Sequence, residues 1–136
     1  DLGLSTRIAW MGAQPQEMVL SELRRADIFI LPSKQTADGD RDGLPNVLME
    51  AQSQQVAVIS TNMSGIPELV INGETGVLVA PGDSDALSAA LKTLIENPIL
   101  RAKLAQAGFD RVHARFSMDA GIDTLCELFD PPAAAA

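Results

Sequence analysis

Four short, nearly uninterrupted apolar runs alternate with stretches of helical period, and this alternation restricts the chain more than any other feature. The runs cover residues 7–11, 27–31, 56–60 and 76–80. The second and third, Ile28-Phe29-Ile30-Leu31 and Val56-Ala57-Val58-Ile59, carry no polar residue on either strand face. A strand of that kind belongs in a parallel sheet covered on both sides. Between the runs, residues 15–25 place Met18, Leu20 and Leu23 near helical spacing behind Pro15, and residues 44–54 carry Leu44, Val47, Leu48 and Ala51 on one stripe. A short helix is expected over 67–71. Strand and helix in strict alternation predict a doubly wound α/β sheet with right-handed crossovers.

The last third reads as helix. Residues 83–96 open on an Asp/Ser cap and stop before Pro98, with Leu87, Ala90, Leu91 and Leu94 at i, i+3, i+4 and i+7. Residues 98–116 form a second helix with Pro in its first turn, and 117–129 a third behind Ser117. Four strands are few for a doubly wound nucleotide domain. Residues 1–6 read like the exit of a helix, so the remaining strands are expected upstream. Residues 131–136 are a low-complexity tail.

Composition removes several function classes. At 46% hydrophobic and 21% charged residues the chain has enough apolar side chains to form a core. A net charge of −8 argues against a nucleic-acid surface, which needs clustered Lys and Arg. It leaves room for a small phosphorylated ligand, because helix N-termini bind phosphate without a basic patch. One cysteine, Cys126, and one histidine, His113, allow neither a disulfide within the chain nor a Cys/His metal cluster. A cytoplasmic setting fits best. No run reaches membrane-spanning length.

Ligands of open α/β sheets bind beyond the carboxyl ends of the strands. The segments leaving those ends are Gly12-Ala13-Gln14, the polar loop 32–43 and Thr61-Asn62-Met63-Ser64-Gly65. The middle loop delivers the chain to Leu44-Pro45-Asn46, where a helix begins. Gly43 permits close backbone approach, and the open N–H groups and dipole of that helix start would face the cleft. Asp42 lies just before the helix and Glu50 eight positions later. One carboxylate can take sugar hydroxyls, and the other the paired hydroxyls of a ribose. Alternatively, Asp42 only caps the helix and Glu50 is a solvated helix residue. Glu68 and His113 read as structural or solvated, Cys126 as a packed thiol and Trp10 as packing rather than base stacking.

At these residues the sequence resembles the group 1 retaining glycosyltransferases (glycosyltransferase family 4, GT-B fold). The stretch Asp42-Gly43-Leu44-Pro45-Asn46-Val47-Leu48-Met49-Glu50-Ala51 is similar to that family's E-x7-E motif, with Asp in place of the first Glu. Ser64-Gly65-Ile66-Pro67-Glu68, Asn72-Gly73-Glu74-Thr75-Gly76 and Pro81-Gly82-Asp83 agree in order and spacing. The resemblance implies a Rossmann-like doubly wound parallel sheet of about four strands with a helical C-terminal third. Residues 1–130 would be the C-terminal nucleotide-sugar-binding domain of a two-domain enzyme, without its first strand–helix unit.

It also implies roles. Asp42 would contact the donor sugar and Glu50 the ribose. Gly43, Leu44, Pro45 and Asn46 would line the sugar and diphosphate, and Gly12 and Ala13 would border the nucleobase. No metal and no cofactor are implied, the donor being a nucleoside-diphosphate sugar, although Asp38-Gly39-Asp40 does spell D-x-D. The acceptor, a glycan or glycolipid, would be bound by a separate N-terminal domain, with peripheral membrane association of the whole enzyme. Two other readings are a non-catalytic nucleotide-sugar-binding or scaffold module and a nucleotide-sugar epimerase of the same architecture. A receiver-type signalling domain would need clustered Asp at the first strand end and a Lys after a late strand, and the chain has neither arrangement. The E-x7-E-like segment favours the transferase over the epimerase, which fold alone would not separate.

Overall fold

The computed structural model describes residues 3–34, 43–117, 119 and 121–122. After a 3-10 turn at Ser5–Arg7, the chain forms α1 (Gln16–Leu23), β1 (Ile28–Leu31), α2 (Asn46–Ser53), β2 (Ala57–Thr61), α3 (Ile66–Leu69), β3 (Val77–Val79), α4 (Ser84–Glu96) and α5 (Pro98–Arg115). The strands make one parallel sheet in the order β1-β2-β3. Ile28 pairs with Ala57 and Leu31 with Ser60, while Ile59 pairs with Val77 and Thr61 with Val79.

The sheet separates two apolar layers, as continuous apolar strands require. On one face Val56 and Val58 pack with Leu23 of α1, Leu48 and Ala51 of α2, and Ile66 and Leu69 of α3. On the other, Ala57 and Ile59 pack with Leu94 of α4 and with Leu104 and Ala105 of α5, joined by Leu87, Ala90 and Leu91. The stripe expected on α4 is therefore the face it buries. β2 is buried throughout, whereas β1, which among the described residues pairs with β2 alone, is half-buried along its length.

Helix starts follow local chemistry. The Asp83 carboxylate accepts the Ala86 N–H at 2.8 Å, and the Asn97 amide oxygen accepts the Leu100 N–H at 3.0 Å. Both satisfy donors that a first turn leaves open. α5 carries Pro98 at its first position, as expected.

Two glycines are required by close approach. A Cβ on Gly76 would stand 2.7 Å from Val70 Cγ1 and 2.9 Å from the Val58 carbonyl oxygen. A Cβ on Gly108 would stand 2.7 Å from Gln52 Nε2. Gln52 is fully buried between α2 and α5, and its Nε2 donates to the Thr75 carbonyl at 2.8 Å.

Two expectations differ from the structure. Residues 7–11 are not a strand: Ser5–Arg7 is a 3-10 turn, and Ile8, Trp10 and Met11 are exposed, Trp10 to 88%. A strand exists through its ladder, and no described strand lies beside this segment. The sheet of the described residues therefore has three strands where about four were expected, and Trp10 does not pack. The second difference is small. Helix α2 begins at Asn46 with Pro45 as its N-cap, so Leu44 of the helical stretch expected over 44–54 lies before the helix. The third late helix expected over 117–129 lies largely outside the described residues, with Cys126.

Candidate donor-binding site

Three loops leave the carboxyl ends of the strands or border them, and hydrogen bonds tie them together. The Ser60 hydroxyl donates to the Leu31 carbonyl at 2.8 Å, and the Thr61 hydroxyl to the Ser33 carbonyl at 2.7 Å. Both side chains are small enough to sit in the sheet and polar enough to fix the exit from β1. From the other side, the Asn62 N–H donates to the Val79 carbonyl at 2.8 Å.

The entry to α2 rests on the loop after β2. The Gly65 N–H donates to the Gly43 carbonyl at 3.1 Å. A Cβ on Gly65 would lie 3.3 Å from both that carbonyl oxygen and Leu44 Cβ, so glycine lets the two backbones meet. Ser64, next to this contact, holds φ at +50°. A non-glycine residue in the left-handed region marks a backbone conformation imposed by its surroundings. Gly43, Leu44 and Pro45 are thereby held beside residues 61–65. No side chain of the described residues caps α2, and its first turn holds no acidic residue. Among the described residues, the start of α2 therefore presents backbone rather than a side-chain cap.

Glu50 is half-buried and faces α1. Gln16, the first residue of α1, donates its Nε2–H to Glu50 Oε1 at 2.9 Å. The reading of Glu50 as a merely solvated helix residue does not describe this arrangement. A second tie, Arg24 Nε to Gln54 Oε1 at 2.8 Å, joins the far ends of the same helices. Between the ties, Val19, Leu20 and Leu23 pack with Leu48 and Ala51. Gly12 takes φ +63° in the loop just before α1, a turn that favours glycine. Gly12 and Ala13 are exposed. The Gln14 side-chain amide donates to the Met11 carbonyl, closing this turn.

An apolar groove of about 560 Å³ runs under this loop, lined by Met11, Gly12, Met18, Val19, Leu23 and Phe29. A smaller hollow of about 150 Å³ opens at the strand ends on the α4 side, between Pro32, Lys34, Thr61, Asp83 and Ser84. Glu50 lines neither of them.

Asp42, Arg41 and the Asp38-Gly39-Asp40 sequence lie outside the described residues. Among the described residues, no group of three or more His, Cys, Asp or Glu is placed to share a metal ion, and no helix is long and apolar enough to cross a membrane. His113 is exposed, stacked on Phe109 with ring centroids 4.0 Å apart. Glu68 is exposed, and its contribution is its carbonyl, which with that of Leu69 accepts from Arg111 at 2.6 and 2.8 Å. Gln16, the partner of the candidate Glu50, is the residue that sequence reasoning missed. Pro15 signals that a helix starts at residue 16, but nothing local tells that this side chain meets one 34 positions later.

Comparison with known proteins bears on the fold and the family. A sucrose-phosphate synthase from Thermosynechococcus elongatus superimposes with a TM-score of 0.79 at 28% identity, covering 98% of this chain and 32% of that one. The amylovoran biosynthesis glycosyltransferase AmsK of Erwinia amylovora is 35% identical over 130 residues, which is 96% of this chain and 32% of the relative. A GDP-mannose-dependent monoacylated alpha-(1-6)-phosphatidylinositol monomannoside mannosyltransferase of Corynebacterium glutamicum is 35% identical over 117 residues, 85% of this chain and 30% of that protein. The chain thus spans about a third of the length of these relatives. The family model described as glycosyl transferases group 1 matches residues 1–111, and the chain, an α/β Rossmann-like unit by its own sheet and layers, belongs to that family.

Proposed function

We propose that this chain is the donor-binding half of a glycosyltransferase that moves a sugar from a nucleoside diphosphate to an acceptor with retention of configuration. The observation that carries the reading is Glu50, half-buried on α2 and held by Gln16 at the end of the Gly12–Gln14 loop. A carboxylate on that side of the helix can accept both hydroxyls of a ribose whose base rests against Gly12 and Ala13. The diphosphate then lies at the start of α2, against Gly43, Leu44, Pro45 and Asn46. There the helix dipole and backbone N–H groups stabilise the charge that grows on the departing phosphate. Asp42, one methylene shorter than the Glu of the family motif, contacts the sugar. The GDP-mannose dependence of the Corynebacterium relative supports a nucleotide-sugar donor.

The residues assigned here need neither a metal nor an organic cofactor for these contacts. The acceptor is a glycan or glycolipid bound by a partner domain that closes over the donor. The whole enzyme acts in the cytoplasm, at the membrane periphery, in polysaccharide assembly of the kind named for the Erwinia relative.

An NMR amide titration with UDP-, GDP- and ADP-sugars tests the reading. One nucleotide should move residues 12–14, 43–50 and 61–66, and Glu50→Ala and Asp42→Ala should each weaken the effect. Shifts that ignore both substitutions refute the assigned roles.

A further inference from the structure

We infer that Gln16 is a positioning residue for Glu50 and, through it, sets how strongly the site prefers a ribonucleotide over its 2′-deoxy counterpart. The inference rests on Glu50 as the ribose ligand.

Three observations converge on Gln16. Its Nε2–H occupies one oxygen of the Glu50 carboxylate at 2.9 Å, a charge-assisted bond that fixes the plane of that group. Its backbone follows Pro15, whose extended ψ of 149° places the start of α1 at this residue, and its side chain reaches α2. Its place in the chain directly follows the Gly12–Gln14 loop, so the side chain that orients the acid sits beside the proposed base site. The partner is also neutral. A Lys or Arg here would neutralise the carboxylate and compete for its second oxygen. A carboxamide donates one hydrogen bond and leaves the charge on Glu50. The second oxygen, Oε2, then stands ready for the 2′-hydroxyl in one orientation. Without Gln16 the glutamate rotates among its rotamers, and each alternative loses alignment with the diol.

The measurement is the ratio of dissociation constants for 2′-deoxy and ribo forms of UDP, GDP and ADP, by calorimetry, on this chain. The ratio cancels contributions from diphosphate and base. Wild type should favour the ribo form of its preferred nucleotide by about tenfold, the value of one hydrogen bond to a charged group. Glu50→Ala should bring the ratio to about one. Gln16→Ala should lower it by roughly three- to fivefold with the amide spectrum of the fold unchanged. Gln16→Lys, whose ammonium competes for the second oxygen, should leave the preference as low as Gln16→Ala does, and a full preference there would overturn the role given to the neutral amide. Gln16→Ala added to Glu50→Ala should leave the ratio where Glu50→Ala put it. If Glu50→Ala abolishes the preference and Gln16→Ala leaves it intact, the role of Gln16 is overturned and the ribose reading stands. If the preference survives Glu50→Ala, or none of the three nucleotides binds, the ribose reading fails and the inference goes with it.

Discussion

Replacing Gly108 by Ala should destabilise the protein, although alanine is the better helix former. In an exposed helix interior the exchange would stabilise by about 1 kcal/mol. Here the new methyl would stand 2.7 Å from Gln52 Nε2, 3.0 Å from Cδ and 3.1 Å from Cγ. The whole end of the Gln52 side chain must move, and it has no solvent to move into. Moving it breaks the 2.8 Å bond to the Thr75 carbonyl and leaves that acceptor in a buried environment, a cost of about 1–3 kcal/mol. Keeping it in place instead forces α5 away from α2, an overpacking cost of about the same size, 1–3 kcal/mol. Whichever route the structure takes, the net loss is up to about 2 kcal/mol after the helix gain, or a fall of up to a few degrees in Tm. Urea unfolding followed by circular dichroism, with an unchanged slope, measures it. The decisive comparison is made in a Gln52→Ala background. There the obstruction is gone, and Gly108→Ala should stabilise by about 0.5–1 kcal/mol, a reversal of sign between neighbours in contact. Equal effects in the two backgrounds would refute the argument that Gln52 is what glycine makes room for.

Two further outcomes follow from local features. Asp83→Ala removes the acceptor for the Ala86 N–H and should cost about 1 kcal/mol, while Asp83→Asn or Asp83→Ser should recover most of it in the same urea experiment. Trp10, the only tryptophan, is 88% exposed, so its fluorescence maximum in the folded protein should already be that of solvated indole and move little on unfolding; a blue-shifted native spectrum would show that residues 8–11 are covered.

Much of the fold is legible in one dimension because the forces that make it are local or periodic. The apolar runs at 27–31, 56–60 and 76–80 became the parallel strands Ile28–Leu31, Ala57–Thr61 and Val77–Val79, since side chains apolar on both faces can be buried only between two layers. The i, i+3, i+4, i+7 stripe on α4 and the Asp83 cap depend on residues within one or two turns, and the structure keeps both. The loops leaving the strand ends and the start of α2 were legible as segments, and the structure holds residues 43–45 beside 61–65. What the chain alone did not decide were matters of pairing. Residues 7–11 have strand composition but no strand beside them among the described residues, and a ladder needs two members. The partner of Glu50 lies 34 residues away on another helix, so only packing of α1 on α2 could bring Gln16 to it. The same holds for Gly65, whose need for glycine appears only when the carbonyl of Gly43 is placed against it. Periodicity and capping are properties of a segment. Register, neighbour and contact are properties of segments brought together, and they are settled only when the core closes.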